Sequence, residues 1–119
     1  MTSVNTGVLT VSHADALGTD AAGTSVATGA ELRVTGGITV ANEAITLNGQ
    51  GVSSAGALRN FTGNNTVASA ITLASAARIN SDAGTLVLSG GVSSTNLGLT
   101  LGGAGNITCL LYTSDAADE

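Results

Sequence analysis

The sequence lacks proline, lysine and tryptophan, and it has almost no other large aromatic side chains. It holds one Phe and one Tyr among 119 residues, whereas Gly occurs 17 times. Apolar residues still make up 43% of the chain, and they are almost all Ala, Val, Leu and Ile. A thick, irregular core needs larger side chains to fill it. This composition therefore favours a narrow core built from many small, similar layers.

Charge is also scarce. Arg33, Arg59 and Arg78 are the only cations against eight carboxylates, and the net charge is −5. Binding to nucleic acid requires many Lys or Arg contacts to phosphates, so this balance argues against a nucleic-acid partner. The sequence has no run of the roughly 18 apolar residues that a membrane helix needs, and its start has no signal-peptide pattern. We expect any export signal to lie outside this sequence.

The last eleven residues differ in composition from the rest of the chain. CLLYTSDAADE, from Cys109 to Glu119, holds the only Cys, the only Tyr and three of the eight carboxylates. It resembles, at every position, the translation of a transposon adapter used in shotgun DNA sequencing. We therefore expect a native domain at residues 1–108 and a non-native read-through at residues 109–119. A genuine polar C-terminal end is the alternative.

Internal repetition is the strongest signal in the sequence. Residues 31–51 align without a gap to residues 85–105, at an offset of 54. A shift of 26 places Leu32 and Arg33 over Leu58 and Arg59, and it also places the run AITL of residues 44–47 over an identical run. Two such echoes in phase predict a unit of about 26 to 28 residues, present roughly four times.

Within each unit, aliphatic residues mostly alternate with Thr or Arg, as in Leu32-Arg33-Val34 and Ile71-Thr72-Leu73. A period of two predicts short strands with one buried face. Gly-Gly, Asn-Gly or Gly-Asn follow most of these strands and indicate turns. Strands of three to five residues broken by glycine turns favour an all-β parallel β-helix, or β-solenoid, of roughly four rungs. In such a coil each strand pairs in register with its copy one repeat later.

Several segments resemble the autotransporter-associated β-strand repeat of bacterial type V secreted proteins. They are NTGVLTV (Asn5 to Val11), GAELRVTGG (Gly29 to Gly37), AGTLVLSGG (Ala83 to Gly91) and LTLGGAGNIT (Leu99 to Thr108). The resemblance implies a right-handed parallel β-helix in a passenger domain, which a C-terminal β-barrel of the same protein passes through the outer membrane. It also implies an extracellular or cell-surface location in a Gram-negative bacterium. Because neither a signal peptide nor a barrel is recognisable here, we expect an internal fragment.

Patterns that would indicate catalysis or metal binding are weak. Residues 12–15, Ser-His-Ala-Asp, put three triad residue types side by side, but a working triad converges from distant segments. We therefore expect an exposed loop after a strand. The run Gly102–Asn106 resembles a glycine-rich calcium repeat, yet Ile107 stands where a carboxylate is needed.

A pair of catalytic carboxylates is not expected either, because Glu31, Glu43 and Asp82 are widely separated in the sequence. We predict that the protein is not an enzyme, that it has no catalytic, cofactor-binding or metal site, and that it needs no cofactor.

Asn and Arg are assigned mainly structural positions. We predict that the Asn residues cap turns or stack in ladders, namely Asn42 and Asn96 at equivalent repeat positions and Asn48, Asn64, Asn80 and Asn106 at strand ends. Asn60, Asn64 and Asn106 each begin an Asn-x-Thr glycosylation signal, which matters only in a eukaryotic secretory path. The three Arg are predicted to be outward and solvated, where a line of Arg could meet an acidic glycan.

Together these features favour a structural β-helix stalk segment of a secreted or surface-exposed autotransporter, with an adhesin-like role. The alternative is a glycan-binding or carbohydrate-active β-helix whose active site lies elsewhere in the full protein. The expected partners are the outer-membrane β-barrel of the same protein and a host-surface or matrix glycan or protein. We expect no nucleic-acid partner and no membrane insertion by this segment.

Overall fold

The computed structural model describes residues 2–13, 23–41, 44–94 and 98–113. These residues form one turn of 3-10 helix, Val52–Ser54, and twelve strands: β1 Thr2–Val4, β2 Val8–Val11, β3 Thr24–Val26, β4 Glu31–Thr35, β5 Thr39–Val40, β6 Ile45–Gly49, β7 Leu58–Thr62, β8 Asn65–Val67, β9 Ile71–Ser81, β10 Thr85–Ser94, β11 Leu99–Gly102 and β12 Asn106–Thr113. In this part of the chain, no helix is long and apolar enough to cross a membrane.

The strands pair in parallel and stack in three faces around one core. Face A contains β2, β4, β7, residues 77–81 of β9, and β11. Face B contains β5, β8 and the first halves of β10 and β12. Face C contains β1, β3, β6, the first half of β9 and the second halves of β10 and β12. The chain therefore winds as a parallel β-solenoid of about four turns, which confirms the predicted fold class.

Inward side chains stack on their counterparts in the next turn. Under face A the column runs through Leu9, Leu32, Leu58, Ile79 and Leu101. Its three middle members are at most 1% exposed. Burying aliphatic side chains in this way removes apolar surface from water, which is the main stabilising contribution to the fold.

The structure confirms the repeat offset of 26 residues but not the offset of 54. Leu58 pairs with Leu32, and Ile71 pairs with Ile45. Leu86, which the offset of 54 aligned with Leu32, instead pairs with Asn65 on face B. The prediction that residues 31–51 and 85–105 share one register is therefore wrong.

The repeat length explains this error. The first and third turns advance by 22 and 21 residues, as the pairs Thr2–Thr24 and Leu58–Ile79 show. Only the second turn, with its offset of 26, reaches the predicted length. Eleven positions separate Leu47 from Leu58, but only six separate their partners Leu73 and Ile79, so the second turn carries five extra residues.

These extra residues form a loop between β6 and β7. The loop includes the 3-10 turn, and a bridge between Gly51 and Gly56 closes its base. Gly51 has a φ of 83°, and a Cβ at this position would overlap the backbone of Gly56. Glycine is therefore required where the two arms of the loop meet.

Two strands are longer than the sequence predicts. β9 and β10 have 11 and 10 residues, and each continues from one face to the next. β12 also continues past Thr108, and Cys109 pairs with Leu88. The secondary structure thus has no break at the domain boundary expected after residue 108, and the origin of residues 109–119 stays a prediction.

Buried polar side chains hold the corner between faces A and B. The Nδ2 of Asn60 donates hydrogen bonds to the Ser81 Oγ (3.1 Å) and the Ala83 carbonyl oxygen (2.9 Å). Asn65 donates to the Oδ1 of Asn60 and accepts a hydrogen bond of 2.8 Å from the backbone N–H of Ile38. Because Asn60 and Asn65 are at most 1% exposed, these bonds satisfy polar groups that would otherwise be costly to bury.

Candidate functional site

The charged side chains of the described residues gather on face A. All three Arg of the chain lie there, together with both carboxylates in the described ranges, Glu31 and Asp82. Three guanidinium groups against two carboxylates give this region a net charge of +1, whereas the whole chain carries −5. We call the cluster the arginine patch and define it as Glu31, Arg33, Arg59, Phe61, Arg78, Asn80 and Asp82.

The strand register sets the geometry of the patch. Arg33, Arg59 and Asn80 occupy one outward column on consecutive turns, and Gly102 follows them in that column. Arg78 lies two residues before Asn80 in β9, so its side chain points to the same side of the sheet. A Cβ at Gly102 would overlap the guanidinium of Arg78. The absence of a side chain at Gly102 therefore makes room for Arg78.

Glu31 is the buried anchor of the patch. Its side chain is 0% exposed, and its Oε2 accepts a hydrogen bond of 2.8 Å from the Nε of Arg33. The Nη1 of Arg59 lies 3.7 Å from the same oxygen. Oε1 has no hydrogen-bond partner among the described residues. A buried carboxylate is tolerated because it is paired, and here it fixes two guanidinium groups side by side.

Arg59 links the buried carboxylate to the outer surface. Its Nε donates a hydrogen bond of 2.7 Å to the Oδ2 of Asp82, and its Nη2 donates to the same oxygen. The hydrogen bond to Asp82 raises the pKa of Arg59 above its ordinary value, against the opposing effect of burial. Asp82 Oδ1 also accepts from Asn80 Nδ2 (3.3 Å), and Asn80 Oδ1 accepts from Arg78 Nε (2.9 Å). One hydrogen-bonded chain therefore runs from Glu31 to Arg78.

A β-bulge places the only Phe of the chain over this network. Val34 pairs with Asn60 but Thr35 pairs with Thr62, so Phe61 is an extra residue in β7. Its side chain is 39% exposed, and the Cζ atoms of the two neighbouring Arg lie 4.6 and 5.2 Å from the ring centroid. These distances are typical of cation–π contacts. The ring thus covers two guanidinium groups and keeps a surface open to solvent.

The structure corrects two expectations about these residues. The Arg side chains are outward as predicted, but those of Arg33 and Arg59 are ion-paired and only 23% and 20% exposed, so they are not simply solvated. Glu31 and Asp82 are not scattered in space, because both bind Arg59. Glu43, the third candidate carboxylate, lies outside the described residues.

The other candidate motifs do not join the arginine patch. Ser12 and His13 are exposed and follow β2, as expected, while Ala14 and Asp15 lie outside the described residues. The run Gly102–Asn106 forms the turn between β11 and β12. Within the described ranges, no three His, Cys, Asp or Glu side chains come together in a group that could hold a metal ion. The absence of catalytic, cofactor and metal sites stays a prediction.

Two of the Asn residues have the structural role that we predicted. Asn48 donates a hydrogen bond of 3.1 Å to the Val26 carbonyl oxygen and accepts one of 3.0 Å from Ser75 Oγ. The Oδ1 of Asn64 accepts a hydrogen bond of 3.0 Å from the backbone N–H of Thr85. Each of these bonds joins one turn of the coil to the next.

The remaining Asn predictions have different outcomes. Asn42 and Asn96 lie outside the described residues. Asn60 is fully buried, so its Asn-x-Thr signal is not accessible for glycosylation, whereas Asn64 and Asn106 are exposed.

Face C has a different outer surface. Its central outward column is a ladder of hydroxyl side chains on successive turns, and it consists of Ser3, Ser25, Thr46, Thr72 and Ser93. Ala44 and Ala70 lie on one side of this ladder, and Ala27 and Ala74 lie on the other. Among the described residues, face C carries no charged side chain. Its surface is therefore small, neutral and regular.

No family model matches the sequence, and neither a curated protein nor a solved structure matches it significantly. The functional argument therefore depends on the coil and its outer faces.

Proposed function

We propose that the chain is a segment of a structural β-helix stalk, exported as part of an autotransporter passenger domain and displayed on a Gram-negative cell surface with an adhesin-like role. The observation that supports this proposal is the stacking of equivalent side chains on successive turns, such as Leu32 on Leu58 and Ile45 on Ile71. In a solenoid each turn contacts mainly its neighbours, so the coil lengthens by adding turns. A spacer requires this property, and it requires no reactive group.

The end of the coil at β11 is suited to a further turn. Leu101 belongs to the inward column of Leu58 and Ile79, yet its side chain is 46% exposed. A strand stacked on β11 would cover this side chain and pair the free backbone groups of the edge strand. Extension by further turns would therefore continue both the core and the hydrogen-bond ladder.

The experiment is to express the reading frame extended on both sides of residues 1–108 in a Gram-negative host. The proposal predicts that the segment reaches the surface of intact cells, where added protease cleaves it and an antibody against it binds. It also predicts a rod that lengthens by about 4.8 Å for each added turn, measurable by small-angle scattering. Retention in the cytoplasm, or a particle whose length does not grow with added turns, would contradict the proposal.

A second candidate function is a β-helix that binds or processes glycans. The arginine patch is the observation in its favour, because it combines the exposed Phe61 ring with planar guanidinium and amide groups. Display on the cell surface does not separate this candidate from a pure spacer. A direct binding measurement does.

A further inference from the structure

The arginine patch carries more positive charge than its own carboxylates neutralise. Arg33 and Arg59 share Glu31, and Arg59 also binds Asp82. Arg78 forms no ion pair with either described carboxylate, and its Nε donates to the neutral amide of Asn80. One guanidinium is therefore available for an external anion in a chain whose net charge is −5.

Phe61 adds an apolar contact beside this charge. The bulge in β7 brings the ring to the surface, and 39% of the side chain stays exposed although two guanidinium groups pack against it. An aromatic ring held in this way offers a flat apolar platform at low entropic cost. The apolar C–H face of a pyranose ring is a suitable occupant, because its hydroxyl groups can then reach the polar side chains around the ring.

The size and stiffness of the patch indicate an extended ligand. Arg33, Arg59 and Asn80 lie on three consecutive turns, so the column spans about 10 Å along the coil axis. Glu31 and Asp82 hold the Arg side chains in place, so little side-chain freedom remains to be lost on binding. A linear chain of sugars lying along the coil axis could contact Phe61 and Arg78 at the same time.

We propose that the arginine patch binds an anionic polysaccharide, with a sugar ring on Phe61 and a carboxylate or sulfate group on Arg78. This inference goes beyond the stalk role, because a stalk needs no ligand on its side. Nucleic acid suits the patch less well, since its dense phosphates call for many cationic contacts and the described part of face A has a net charge of only +1. A polymer with sparse charge and apolar ring faces fits both features of the site.

The test measures binding of the whole chain to three immobilised polymers by biolayer interferometry: a polyuronate, a sulfated galactan and an uncharged galactan. Binding to at least one charged polymer, with little binding to the uncharged one, is expected. The first two polymers distinguish a carboxylate ligand from a sulfate ligand. Phe61→Ala and Arg78→Gln should each weaken that binding about tenfold, the effect typical of a central interface residue.

Two further variants separate binding from folding. Arg78→Lys keeps the charge and should recover part of the affinity that Arg78→Gln loses. Thr72→Ala changes an exposed hydroxyl on face C and should leave binding unchanged. Circular dichroism should give the same strand content for every variant. Binding to neither charged polymer, equal binding to all three polymers, or full affinity in folded Phe61→Ala and Arg78→Gln would each overturn the proposal.

The same variants keep this proposal distinct from the stalk proposal. Cell-surface display of the extended protein should be unchanged by Phe61→Ala and Arg78→Gln, because neither residue belongs to the inward columns. Loss of binding with normal display supports the patch. Normal binding by a protein that is never displayed would leave the patch standing and remove the stalk proposal.

Discussion

Faces A and C share one interior and have opposite exteriors. Leu58 under face A and Ile71 under face C are both fully buried and both stack on an identical residue of the preceding turn. Outside, face A carries guanidinium and carboxylate groups, while face C carries hydroxyl and methyl groups. Because successive side chains of a strand point to opposite sides, the inward set can hold the coil together while the outward set varies. The two faces suggest that fold and surface chemistry are separable here.

The largest expected effect tests the common interior. Leu58→Ala and Ile71→Ala should each lower the free energy of unfolding by about 3 kcal/mol, since each opens a cavity in a packed column. Urea denaturation of the two variants measures both values. Similar losses would confirm that the two faces have equivalent cores. A loss under 1 kcal/mol at either site would break the comparison.

The second effect is specific to the corner beside face A. Asn60→Ala should cost about 2 kcal/mol, because the substitution leaves the buried polar groups of Asn65 and Ser81 without a partner. Thermal unfolding followed by circular dichroism measures the change. Asn64→Ala is the matched control at an exposed Asn, and it should cost less than half as much. Equal effects would indicate that burial does not decide the role of Asn in this coil.

A third substitution tests whether the charges of face A are interdependent. Arg59→Met should cost about 2 kcal/mol, because Glu31 stays buried with Arg33 as its remaining partner. Glu31→Gln in the same chain should restore part of this loss, since the buried charge is then removed. A double-mutant cycle by urea denaturation gives the coupling. Strictly additive losses would argue against a shared ion-pair network.

The smallest effect is expected on face C. Thr72→Val keeps the shape of an exposed side chain and replaces only its hydroxyl group, so stability should change by less than about 0.5 kcal/mol. The same urea titration measures it. A loss above 1 kcal/mol would mean that the hydroxyl ladder stabilises the coil and that the exterior of face C is not free to vary.

Much of the fold follows from local sequence patterns. Alternation of aliphatic residues with Thr or Arg predicts which side chains are inward, and the offset of 26 correctly pairs Leu32 with Leu58 and Thr46 with Thr72. Turn length does not follow, because the loop around Gly51 adds residues in one turn only. Nor does the length of β9, whose small residues Ala74 and Ala76 let the chain pass a corner without a glycine turn.

The arginine patch could be predicted only in part. The offset of 26 places Arg33 beside Arg59, and alternation places Glu31 on the same side. The contact between Arg59 and Asp82 depends on a third turn of 21 residues, which the repeat alignment overestimates. The position of Phe61 depends on a bulge, and a bulge has no periodic signal. Long-range register, rather than residue type, was the missing information.

The loop that closes at Gly51 and Gly56 has a consequence for how such a coil can change over generations. Extra residues leave the coil at a corner, and the strands on both sides resume their columns, as Leu58 resumes the column of Leu32. Insertions and deletions at corners are therefore tolerated, while the inward positions stay under selection. Duplicated turns can drift apart in length and outer residues until only the spacing of inward side chains preserves their common ancestry. Homologous turns in such chains should be aligned by column and not by a fixed period.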